Sequence, residues 1–243
     1  MSPVTAMSSA PSGSQFWATA APVIQNRKVE HDHPIPQFGE LDRWDLSALG
    51  WNPAAGRSSV ALRFHAFRGD WNLRARELAI ALLNPSHQVL REQGIFRPAV
   101  PPHAKTVGMR LDGLKCFAAW HDAHHAGAPL SSLTQADLDR FLNAAKSSGG
   151  LSSVRQAIDA VRELQLLGAV LTGGGIGFRP WGAATSIALS GLRYNAELST
   201  PVIPPAVWWP LLRACWQYID VFSADIFAAA AEWALLDRAP DDR

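Results

Sequence analysis

Residues whose types could do chemistry lie mainly in the middle of this chain. His121, His124 and His125 fall within five positions, so a helix would place two imidazoles one turn apart, as helical zinc sites do. No cysteine or carboxylate follows at the companion spacing, and the three read as a His-rich exposed helix end; His31 and His33 offer less. Gly173, Gly174, Gly175 and Gly177 could cradle a phosphate, but no Lys-Ser or Lys-Thr follows and no strand precedes, which leaves a flexible joint. Trp208 and Trp209 could stack on bases, or pack the last helices together. No nucleophile, base and orienting group recur as a motif, so neither a small-molecule substrate nor a cofactor is expected.

Charge gives a more useful signal. Overall 22 Lys and Arg nearly balance 21 Asp and Glu, so net charge says little about partners. Between Arg57 and Lys115, however, ten basic residues face four acidic ones, which points to a local anion-facing surface.

The elements that must position these residues read as helices. With 48% apolar and 18% charged residues in a chain of 243, a core can form, and a disordered chain is excluded. No run reaches the roughly 20 apolar residues of a membrane span, and the start lacks a signal-peptide pattern. Cys116 and Cys215, each in an apolar helical pattern, look like small buried core residues of a reducing cytoplasm.

Residues 1–68 read as an irregular, partly disordered leader with short anchors such as Trp17, and with 41–67 draped over the helices. Apolar periodicity predicts helices over 72–83, with Arg74, Arg76 and Glu77 mostly on the outer face, and over 103–126. Thr134 with Asp137 signals a capped third helix, and a fourth opens at Ser152 and runs to 167. Residues 70–171 thus form a four-helix domain, 172–200 a Gly-rich and polar linker, and 201–243 a helical pair split near 222. The fold class is all-α.

Leu114 to Trp120 ending one helix, then Leu133, Thr134, Asp137, Leu138, Phe141 and Leu142, then Leu151, Ser152 and Ser153, resemble the four-helix, SAM-like core-binding domain of tyrosine recombinases of the phage-integrase type. Leu171 to Gly175, Pro180 to Gly182, Ser199 to Pro205, Trp208, Leu211, Leu212, Asp225 and Ile226 follow in the order of actinobacterial integrase-like proteins; together the resemblance spans about residues 44–236. It implies sequence-specific binding of double-stranded DNA, with other recombinase subunits as partners, and a clamp completed by a catalytic domain.

In that family a tyrosine attacks the phosphate while Arg, Lys and His or Trp stabilise the developing charge. Here the one His-x-x-Arg match, His65 to Arg68, precedes the core-binding region, and Tyr194 and Tyr218 read as linker and packing residues. The resemblance therefore implies the non-catalytic, amino-terminal part of a recombinase, cytoplasmic and not itself an enzyme. Lys105, Thr106, Arg110 and Lys115 on the second helix, and Ser152, Ser153, Arg155, Gln156 and Arg162 on the fourth, are the expected DNA contacts, by phosphate neutralisation and major-groove entry. The alternative is a helical protein-interaction domain whose last helices dock a partner.

Overall fold

The computed structural model describes residues 14–29, 33–50, 61–191 and 204–236. The start of the leader, His31, Trp51, Tyr194, residues 201–203 and the charged tail lie outside them. The protein is mostly helical and divides into two units, Met1–Arg193 and Tyr194–Arg243.

In the first unit, helix α1 (Asp70–Leu83) is the centre: every residue from Leu73 to Leu83 is buried. A helix enclosed on all sides must satisfy its polar residues internally. The outer face expected for Arg74, Arg76 and Glu77 does not exist, because the leader and the segment after the fourth long helix close over it. Arg76 donates to the Phe38 carbonyl at 2.8 Å and to Asn72 Oδ1 at 2.9 Å. Glu77, fully buried, accepts from the Thr172 N–H at 2.7 Å, the Thr172 hydroxyl at 2.6 Å and the Ser14 hydroxyl at 2.5 Å. Arg74 lies over the Trp71 ring at 5.2 Å.

The leader is correspondingly ordered where it is described. Trp17, Val23, Ile24 and Phe38 are buried, and Asn84 ties the leader to α1 by donating to the Val23 carbonyl and accepting from the Gln25 N–H. Two short antiparallel strands, β1 (Arg43–Asp45) and β2 (Ala61–Arg63), pair Arg43 with Arg63 and Trp44 with Leu62. Strand alternation turns Trp44 and Leu62 inward, and Trp44 meets Phe64 edge-on at 4.6 Å.

After the short α2 (Gln88–Glu92), α3 (Ala104–His125) is capped by His103, whose Nδ1 accepts from the Lys105 N–H. Helix α4 (Gln135–Ser148) has the expected capping box: the Asp137 N–H donates to the Thr134 hydroxyl, and the Thr134 N–H donates back to Asp137. The Thr134 hydroxyl and N–H, followed by Arg140, hold the Asp137 carboxyl down to about 2. Helix α5 (Leu151–Leu166) starts one residue before the expected serine, with Gly150 at its cap. The stretch after it includes a short helix, α6 (Ser186–Ser190), held against α5.

In the second unit, α7 (Pro205–Gln217), a π turn (Tyr218–Phe222) and α8 (Ser223–Leu236) follow without a break in helical backbone. The expected helical pair is one continuous run, because nothing between 217 and 223 breaks a helix: no glycine or proline lies there. Among the described residues no helix is long and apolar enough to cross a membrane. Cys116 and Cys215 are both exposed, contrary to the core placement expected of them. Each lies in an apolar stretch but on the outer side of its own helix.

Candidate nucleic-acid interface

Helices α3 and α5 supply the expected DNA-facing residues, and their contact decides which of those are free. The two run antiparallel and cross at Gly113, where a Cβ would stand 2.2 Å from the Gln156 carbonyl oxygen. That close approach draws the polar residues around the crossing into pairs. Arg110 binds Asp159 directly, Arg155 reaches the same carboxylate at 4.0 Å, and the Ser186 hydroxyl donates to its other oxygen at 2.5 Å. Arg162 donates to the Ser186 hydroxyl at 2.9 Å and to the Ala184 carbonyl. Below them Arg97 holds Glu163.

Arg110, Arg155, Gln156 and Arg162 are therefore half-buried residues of the joint between α3, α5 and α6. Lys105, Thr106, Lys115, Ser152 and Ser153 are exposed. Lys105 and Lys115 lie on the side of α3 turned away from the core, while Ser152 and Ser153 stand in the first turn of α5.

One basic grouping is not apparent from the sequence. Arg63 of β2 and Lys105 of α3 line the same open cleft of about 320 Å³, together with Met109 and Asp112. Across the strand pair from Arg63 stands Arg43, which engages Asp45 at 2.9 Å. Like charges placed directly opposite on a sheet oppose pairing. The signal was present as three arginines or lysines, but only the register of β1 with β2 brings them together.

A second cleft, of about 400 Å³, is lined by Arg68, Asp70, Trp71, Arg74, His121, Asp122 and Gly173. His121 is not on an exposed helix end. It is 3% exposed, set edge-on to Trp71 at 5.4 Å, with neither ring nitrogen hydrogen-bonded. Burial foremost lowers its pKa, opposed by the neighbouring Asp122 carboxylate. The other two histidines are engaged separately: His124 Nδ1 lies 2.8 Å from the Trp120 carbonyl and His125 Nε2 3.5 Å from Asp137. Among the described residues no three potential ligands converge on a metal position.

Gly173 and Gly174 adopt positive φ, and a Cβ on Gly173 would stand 2.9 Å from the Arg74 guanidinium. The expected flexible joint is in part a turn fitted over Arg74, and Thr172 beside it anchors Glu77. His65 and Arg68 are exposed turn residues, and Tyr218 is an exposed residue of the π turn, edge-on to Phe222. Trp208 and Trp209 stack on each other at 4.4 Å. Comparison with protein-family models, curated proteins and solved structures finds no match to this chain.

Proposed function

We propose that the first unit binds double-stranded DNA, as the non-catalytic, core-binding portion of a recombinase-type protein. The observation that supports this best is that Arg63 of β2 and Lys105 of α3 line one open cleft, with Arg43 opposite Arg63 on the strand pair. Arg43 is already engaged by Asp45, so Arg63 and Lys105 are the cations that a phosphate backbone would neutralise together. Lys115, Ser152 and Ser153 extend the contact along α3 and α5; Arg110, Arg155 and Arg162 hold those helices in place.

Fluorescence polarisation with a labelled duplex, over a range of salt concentrations, tests the reading. Each phosphate that the protein ceases to neutralise flattens the slope of log affinity against log salt by about 0.9. Arg63→Ala and Lys105→Ala should each flatten it by about that amount while leaving the melting temperature unchanged. Arg110→Ala and Arg162→Ala should lower the melting temperature, with a smaller effect on the slope. Absence of binding near physiological salt, or a slope indifferent to Arg63 and Lys105, refutes the proposal.

A further inference from the structure

Arg74 sits in α1 without the bonds that a buried charge requires. It is 9% exposed, its Nε is closed to water, and among the described residues its guanidinium makes no hydrogen bond. A guanidinium carries five N–H donors, and buried donors in native structures are almost always paired, so the exception calls for an explanation. Burial foremost lowers the Arg74 pKa, opposed by Asp70, Glu77 and Asp122, yet none of the three forms an ion pair with it. Glu77 is taken up by Thr172 and Ser14. Asp70, four residues before Arg74, shares its side of the helix but does not reach it.

Trp71 keeps these charges apart. Its ring lies under the Arg74 guanidinium at 5.2 Å, while its Nε1 donates to Asp122 Oδ1 at 2.8 Å. The face of an indole and its N–H edge point in perpendicular directions, so one side chain holds a cation and a carboxylate on the same cleft without letting them meet. Gly173 closes over Arg74 from the other side, where a Cβ would stand 2.9 Å from Nη2.

The cleft of about 400 Å³ is thus lined by two arginines, Arg68 and Arg74, and two aspartates, Asp70 and Asp122, with no ion pair among them. Burial lowers the pKa of His121 in its wall, so that ring adds no charge at neutral pH. Ala128 and Pro129 make an apolar border. A cleft of this size suits a small molecule.

We propose that the cleft binds a small zwitterion, an α-amino acid with a short apolar side chain. Its carboxylate lies across the Arg74 guanidinium, its ammonium meets Asp70 and Asp122, and its side chain rests against Ala128 and Pro129. The two oxygens of a carboxylate match the parallel N–H groups of a guanidinium, and an ammonium offers donors alone, which carboxylates accept. Equal numbers of arginines and aspartates favour a ligand with both charges: an anion meets Asp70 and Asp122, a cation meets Arg68 and Arg74. The aspartates equally disfavour duplex phosphates, so this site stands apart from the DNA-binding surface at Arg63 and Lys105 and does not depend on it.

Isothermal titration of the full chain with L-alanine, at fixed ionic strength, should show one site with a dissociation constant of about a millimolar or below. Propionate and ethylamine, which each carry one of its two charges, should bind at least about tenfold more weakly. Asp70→Asn, at an exposed position, should weaken alanine by at least about tenfold while leaving propionate unchanged or tighter. Arg74→Met keeps an apolar stem and should weaken alanine and propionate alike. Thermal melts check that each variant folds, and Asp70→Asn carries the test if Arg74→Met does not. Absence of alanine binding, propionate bound as tightly as alanine, or alanine binding indifferent to Asp70→Asn overturns the proposal. Displacement of alanine by a DNA duplex at constant salt overturns it too, and assigns Arg68 and Arg74 to the phosphate backbone.

Discussion

Burial sets what single residues in the first unit can tolerate. Glu77 has no access to water, so each of its donors matters, and Thr172 supplies two of them. Thr172→Val keeps the shape and the backbone N–H but removes the hydroxyl, which also accepts from the Gln15 N–H. A loss of about 2 kcal/mol is expected from unmade bonds to a buried charge, and Thr172→Ser should recover most of it; urea denaturation measures both. His121 presents the opposite case, a buried ring with no hydrogen bond and only the Asp122 carboxylate 3.8 Å from its Nδ1. Because burial lowers its folded pKa, the unfolded chain binds its proton more tightly, and stability falls as pH drops below about 6.5. His87, lowered by burial too, acts over the same window in the same direction. His121→Phe should leave the protein at least as stable at pH 7 and make its decline toward pH 5 shallower, as thermal melts across that range would report. An unchanged pH dependence would show that His121 does not titrate as its burial requires.

Elements meet at positions whose importance only geometry reveals. Gly113 lies mid-α3, where propensity favours almost any other residue, yet a Cβ there would collide with the α5 backbone at Gln156. Gly113→Ala should therefore destabilise the unit, by about 1–3 kcal/mol as overpacking does, in place of the gain an exposed helix would show. Chemical denaturation measures the sign, and a stabilised variant would refute the close crossing. The helices themselves were legible: Thr134 with Asp137 announced α4, and Val154, Ile158, Val161 and Leu164 fixed the inner face of α5. Their partners were not. Arg110 and Asp159 are 49 positions apart, and nothing local distinguishes a solvated arginine from one committed to another helix. Arg155, Asp159 and Arg162 share one face of α5, a pattern that hints at an acidic centre between cations. It does not reveal that α3 and α6 complete it. The strands escaped for another reason: three residues are too few to establish a period.

For the molecule as a whole, the leader is a structural part of the first unit. Prolines and an irregular spacing of apolar residues made residues 14–50 resemble a loose arm, because no helix or strand period organises them. Their order comes from long-range bonds instead. Gln25 and Val23 hold Asn84, Phe38 accepts from Arg76, and Ser14 donates to Glu77, so three buried polar residues of α1 and its cap depend on them. A chain beginning at residue 41 would lose Trp17, Val23, Ile24 and Phe38 from the core and orphan those polar groups together. Such coupled losses exceed the sum expected of independent substitutions. A chain ending at residue 193 keeps the whole first unit, with every one of these bonds. Residues 1–193 should therefore melt cooperatively, whereas residues 41–193 should show a broad transition with little protection of α1 amides from hydrogen exchange. Equal protection of α1 in the two chains would mean that the leader merely lies on a domain that folds without it.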